Sequence, residues 1–159
     1  MTDFHALIRL LVESKIEFIV VGGAAATAHG SARLTVDLDV VYRRTPENIS
    51  RLVLALNPIA PYLRGAPPGL PFDWSEETVQ KGLNFTLTTK LGALDLLGEV
   101  TGGGDYDALL AHAVRLRVAG VECLCLGLRR LIEVKRAAGR PKDFDAIAEL
   151  EVIEEEQLG

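Results

Sequence analysis

Residues 20–42, VVGGAAATAHGSARLTVDLDVVY, place the tightest constraint on what this chain can become. A hydrophobic run ends on Gly22-Gly23, crosses a stretch of small residues, and resumes as an alternating segment carrying Asp37 and Asp39. Successive side chains of a strand point to opposite faces, so these acids share a face with Val41, while Val36, Leu38 and Val40 take the other. Two carboxylates roughly 6–7 Å apart at the backbone repel each other, on a strand where aspartate is disfavoured. A divalent cation relieves that repulsion, as one ion or as two ions about 3.5–4 Å apart. The alternative is an edge strand with both acids facing water.

Two further features favour the cation. Gly22 and Gly23 lie where the strand hands over to a short helix, predicted between Gly23 and Gly30. Unpaired backbone amides and the positive helix end gather there, and missing side chains let a phosphate come close. Asp95, in GALDLLG, is the only carboxylate between Glu77 and Glu99 and lies on a predicted strand. It can share the metal or take a proton from an attacking hydroxyl.

The remaining chain reads as a mixed α/β (α+β) protein, one mixed sheet with flanking helices, in a single domain over residues 1–159. Helical spacing of Phe4, Leu7, Ile8, Leu11 and Val12 predicts a first helix with Thr2 as N-cap. IEFIVVGG is a buried strand, and Thr45-Pro46-Glu47 opens a helix to about Leu56. Residues 57–73 hold five of the seven prolines and two glycines, a loop pinned against the domain and of functional length. LNFTLTTKLGALDLLGEV reads as two strands turning at Lys90-Leu91-Gly92, and GGGDYDALLAHA as a helix after a glycine turn. VRLRVAGVECLCLG is a hairpin turning at Ala119-Gly120. Residues 129–159 form two helices around Gly139-Arg140-Pro141; the first segment holds six bases and one acid up to Lys142, the rest seven acids and no base.

Composition excludes several classes. A net charge of −5 disfavours a protein that wraps a long nucleic acid. No run of about 18 uncharged apolar residues predicts a membrane span. The N-terminus lacks a cationic start followed by an apolar stretch, so no secretory signal is expected. Cys123 and Cys125 point to one face of a strand and read as small buried hydrophobes, which implies a reducing, cytoplasmic setting. GGAAAT does not supply the later glycines of G-x-G-x-x-G, and the chain has no G-x-x-x-x-G-K-[ST] and no G-x-S-x-G. His5, His29 and His112 lack metal spacing, and His29 reads as a packed or capping residue.

Strand, Gly-Gly, helix, thirteen residues to DLD, then a later strand aspartate: this pattern resembles the DNA-polymerase-beta-type nucleotidyltransferase superfamily. HGSARLTVDLDVVY, LNFTLTTKLGALDLLGE and LIEVKRAAGRPKDFDAI are together similar to a small bacterial branch near the abortive-infection toxins of toxin–antitoxin pairs and the minimal nucleotidyltransferases. The resemblance spans roughly residues 16–150 and implies a nucleotidyltransferase fold and a metal-dependent transfer of NMP from NTP, ATP first among them, to an acceptor hydroxyl. It implies that Asp37 and Asp39 hold Mg²⁺ (or Mn²⁺), and that Gly22 and Gly23 amides meet the phosphates. Asp95 then helps position a second metal and activates the hydroxyl. Arg33 and Thr35 match R-x-T-x-D-x-D and are expected at the phosphates, as is Lys135 from a late helix; Asp143 reads as a helix-start residue beside Lys142. The chain carries Gly23 where relatives use serine, and no large added helical domain, so a partner chain or second copy is expected to complete the acceptor surface. The acceptor itself, a small molecule, a tRNA end or a protein side chain, stays open, with a small or locally read one favoured by the acidic balance. A non-catalytic, antitoxin-like binding partner is the alternative function.

Overall fold

The computed structural model describes residues 1–159. Its elements run α1 (Phe4–Glu13), β1 (Phe18–Val21), α2 (Gly22–Ala28), β2 (Asp37–Tyr42), α3 (Pro46–Leu56), β3 (Tyr62–Leu63), α4 (Glu76–Lys81), β4 (Phe85–Thr89) and β5 (Gly92–Leu97). Then follow β6 (Glu99–Val100), β7 (Gly104–Asp105), α5 (Tyr106–Leu110), β8 (Ala113–Val118), β9 (Val121–Leu126), α6 (Leu128–Ala138) and α7 (Phe144–Leu158). Seven strands form one sheet in the order β3-β4-β5-β2-β1-β9-β8, and β6 pairs with β7 in a separate hairpin. The β1–β9 and β2–β5 pairs are parallel and the others antiparallel, the mixed sheet that the alternation of helices and hairpins predicts.

Burial follows the sequence pattern. β1 sits mid-sheet and its Phe18-Ile19-Val20-Val21 run is buried throughout, covered on both faces. α1 turns Leu7, Ile8 and Leu11 inward, and α3 turns Ile49, Leu52 and Leu56 inward, both at helical spacing. These residues join one cluster of 34 buried apolar residues that also takes in Cys123 and Cys125. Both thiols are free, and burial pushes them up to about 11 and about 12, which leaves them unreactive hydrophobes. No helix is long and apolar enough to cross a membrane.

Several local expectations change. Asp3, not Thr2, caps α1, accepting from the Ala6 amide at 2.9 Å. The Thr2 hydroxyl instead donates to the Val36 carbonyl, tying the chain start to the approach of β2. β2 begins at Asp37, so Val36 lies before the strand and is exposed rather than sharing the buried face of Leu38 and Val40. The proline-rich segment is less loop-like than its composition suggests. It contains a 3₁₀ turn at Asn57–Ile59 and the edge strand β3. Aromatic contacts running Tyr62–Phe72–Trp74–Phe85 pin it, and Trp74 Nε1 donates to the Val53 carbonyl. The acidic C-terminal helix is tied to the basic one by Arg129–Glu154 and Arg136–Glu151.

Candidate active site

Strand register assembles the acids. Asp39 of β2 lies opposite Asp95 of the parallel β5, and Asp95 lies opposite Thr86 of β4. Side chains in one register row share a face, so Asp39 and Asp95 emerge side by side, with Asp37 two residues away on the same face. One oxygen of each carboxylate falls within 4.8 Å of the others. Asp39 is the most enclosed of the three. Burial, then the charges of Asp37 and Asp95, push its carboxyl up to about 8. Burial also raises Asp95, against the lowering effect of the Arg64 guanidinium. Asp39 Oδ1 is buried without any hydrogen-bond partner. A cluster of hard oxygens with one buried acceptor left unpaired fits a divalent cation such as Mg²⁺ or Mn²⁺.

The glycine turn is built around this cluster. Gly22 has φ +66°, and a Cβ there would stand 2.2 Å from Asp39 Oδ2. A Cβ on Gly23 would stand 2.6 Å from the Thr35 hydroxyl. The first glycine therefore makes room for the Asp39 carboxylate, and the second for Thr35. Thr35 in turn donates to the Asp37 carbonyl at 3.2 Å, which shapes the chain as it enters β2. His29 closes α2 and donates from Nε2 to the Leu126 carbonyl at 2.8 Å, the capping role its position suggests.

A cleft of ≈ 420 Å³ opens between this acid row and the C-terminal helices. Its sheet wall carries Gly22, Gly23, Asp37, Asp39 and Asp95, and its far wall Lys135, Arg140, Lys142 and Asp143. Asp143 is buried and does not cap α7 with its side chain. It accepts from Arg140 Nε at 2.7 Å and lies 4.0 Å from Lys135 Nζ, holding both cations at the cleft. Glu149 accepts from the Ser31 hydroxyl at 2.5 Å and the Ala32 amide at 3.1 Å, and these bonds hold its carboxyl below the usual range. That contact fastens α7 to the segment between α2 and β2. A second cavity, of ≈ 700 Å³, adjoins the acids on another side and is lined by Phe4, Leu34, Val36, Ala93, Asp37 and Arg64 among others.

No family model matches the chain, and no curated protein matches it in sequence. Solved structures do match. The lincomycin-bound crystal structure of the lincosamide antibiotic adenylyltransferase LnuA superposes with a TM-score of 0.61 at 12% identity, covering 94% of each chain. The solution structure of the antibiotic-resistance factor ANT(2'')-Ia superposes with a TM-score of 0.58 at 15% identity, over 98% of this chain and 82% of that one. The chain has the nucleotidyltransferase fold. Within that fold, the expected residues Gly22, Gly23, Arg33, Thr35, Asp37, Asp39, Asp95 and Lys135 all line the one cleft. Arg33 is exposed at its rim.

What sequence reasoning missed is Arg64. Its Nη2 donates to Asp95 Oδ1 at 2.6 Å, and its Nη1 lies 3.6 Å from Asp37 Oδ2. One signal pointed there: Arg64 is the only cation in residues 57–73, alone among prolines and apolar residues. Arg140 and the cation-holding role of Asp143 were also missed, because a turn between helices carries no periodic pattern.

Proposed function

We propose that the protein transfers a nucleoside monophosphate from an NTP to a hydroxyl of a small-molecule acceptor, releasing pyrophosphate. The carrying observation is the single cleft that has three carboxylates on one wall and cations on the other. Asp37 and Asp39 would hold Mg²⁺ or Mn²⁺, which when bound neutralises phosphate charge and polarises the phosphoryl group under attack. Lys135 and Arg140, held by Asp143, face the triphosphate from the helical wall, with Arg33 and Thr35 at the near edge. Gly22 and Gly23 present backbone amides to the same phosphates.

The chain's part in the reaction is orientation and proton removal. The acceptor oxygen forms a bond to the α-phosphorus as the bond to the pyrophosphate oxygen breaks, and Asp95 takes the hydroxyl proton. The description of LnuA as an adenylyltransferase supports ATP as donor. A small acceptor is supported by the second cavity, which abuts Asp37 and whose volume lies within the usual range for ligand pockets. That cavity contributes one arginine, already engaged by acids, where an RNA site would need several free cations.

The test uses the four α-³²P-labelled NTPs with Mg²⁺ and fractionated small-molecule, RNA and protein pools. Label is expected in the small-molecule fraction, from ATP first. Transfer at an undiminished rate by the D37N/D39N protein would refute the reading. So would the absence of Mg²⁺-dependent NTP binding in calorimetry.

A further inference from the structure

Arg64 reaches the acid cluster from the second cavity and does not line the main cleft. It follows β3 at the sheet edge, and its amide donates to the Thr86 carbonyl at 3.0 Å. Because Thr86 lies opposite Asp95, this bond places Arg64 in the same register row as Asp95 and Asp39. Its Nη2 donates both to the Leu87 carbonyl and to Asp95 Oδ1, each at 2.6 Å, while Nη1 faces Asp37. Nε is buried as well, without a hydrogen-bond partner, so the guanidinium is held through its two Nη atoms. An exposed arginine would spread over many rotamers; this one is anchored on a strand, a carbonyl and two acids.

Its charge lies against Asp95 and Asp37. Three carboxylates carry three negative charges; one guanidinium and one divalent ion together balance them. Asp95 and Asp37 face Arg64, whereas Asp39 Oδ1 is the acceptor left unpaired. Arg64 hydrogen-bonds Asp95 Oδ1 at 2.6 Å but stands 3.6 Å from Asp37 Oδ2, so a second divalent ion at Asp95 would meet this permanently protonated group at closer range than an ion on Asp37 and Asp39. From this arrangement we infer that Arg64 is a positioning residue standing in for the second metal. The site takes a single divalent ion on Asp37 and Asp39, and Asp95 is held by Arg64 for the acceptor. This rests on the nucleotidyltransferase reading above and fixes its ion count, replacing the second metal that the family resemblance implied.

Two measurements on the full chain test it, neither of which reads activity. The first is a double-mutant cycle on Tm in EDTA with Arg64→Gln and Asp95→Asn. Arg64→Gln alone is expected to lower Tm by roughly 3–6 °C, and to lower it far less when Asp95→Asn is present. Equal losses in both backgrounds would overturn the inference. The second is electron paramagnetic resonance with Mn²⁺ as the probe. The wild-type chain is expected to show one isolated ion, and R64Q an exchange-coupled pair. A coupled pair in the wild type would overturn the single-ion site while leaving nucleotidyl transfer intact. No Mn²⁺ bound by either protein would remove the metal reading and this inference with it.

Discussion

The two walls of the cleft are built by opposite means. The sheet wall concentrates like charge: Asp37, Asp39 and Asp95 are fixed by strand register, and the backbone leaves them no way to separate. The helical wall sets opposite charges against each other: Asp143 is buried between Arg140 and Lys135. One wall is therefore at odds with itself until a cation arrives, and the other is satisfied in advance. A protein that needed only stability would not keep the first arrangement, because each carboxylate raises the cost of ionising its neighbours. On the proposed reading, the sheet wall would take the metal and the helical wall the phosphates.

Substitutions separate the two walls. The largest effect is expected from Asp37→Asn or Asp39→Asn, which should lower NMP transfer by roughly 10³-fold or more in a radiolabel assay. In scanning calorimetry with EDTA, Asp39→Asn should nevertheless raise Tm, because it removes a carboxyl that must take up a proton to be buried beside Asp37 and Asp95. A lower Tm for that variant would show that the sheet wall is not strained by its own charge. Gly22→Ala comes next, costing about 1–3 kcal/mol of stability by denaturant unfolding, because φ +66° and the approach of Asp39 both exclude a Cβ. Asp143→Asn should cost about 1–2 kcal/mol and raise KM for NTP with little change in metal affinity, the reverse of the Asp39→Asn profile. Lys135→Ala should raise KM roughly tenfold and leave Tm almost unchanged.

The pH dependence of stability should carry a sign opposite to that of a salt-bridged acid. The Asp39 carboxyl sits at about 8 in the folded chain, far above an ordinary unfolded carboxylate. Between those values the folded state binds the extra proton, so metal-free stability should fall as pH rises from about 4 to about 8. Saturating Mg²⁺ should flatten or invert that slope, since the metal displaces the proton. Thermal melts across this range with and without Mg²⁺ read the difference directly.

Much of the sheet wall was legible before any coordinates. Alternation in VDLDVVY put two acids on one face, and the run IEFIVVGG read as a buried strand because it is central and apolar. The hairpin turn at Ala119-Gly120 also appears as expected, both residues taking positive φ between Val118 and Val121. Arg64 was illegible for a physical reason. Its partners lie 27 and 31 residues away in the chain, and only the pairing of β3 on β4 and β4 on β5 brings them into one row. Asp143 stands at the start of α7 as expected, but its pairing with Arg140 and Lys135 was illegible because only the turn between the helices brings those side chains together.

Periodicity, glycine placement and the spacing of three aspartates are local properties, and by themselves they determined the central strands and the turn beside the acids. Which side chains share a register row, which cations stand against the acids, and how much space lies between the walls are consequences of long-range pairing. Only the tertiary structure decided those, because strand order and register are set by the packing of the whole core rather than by any one segment.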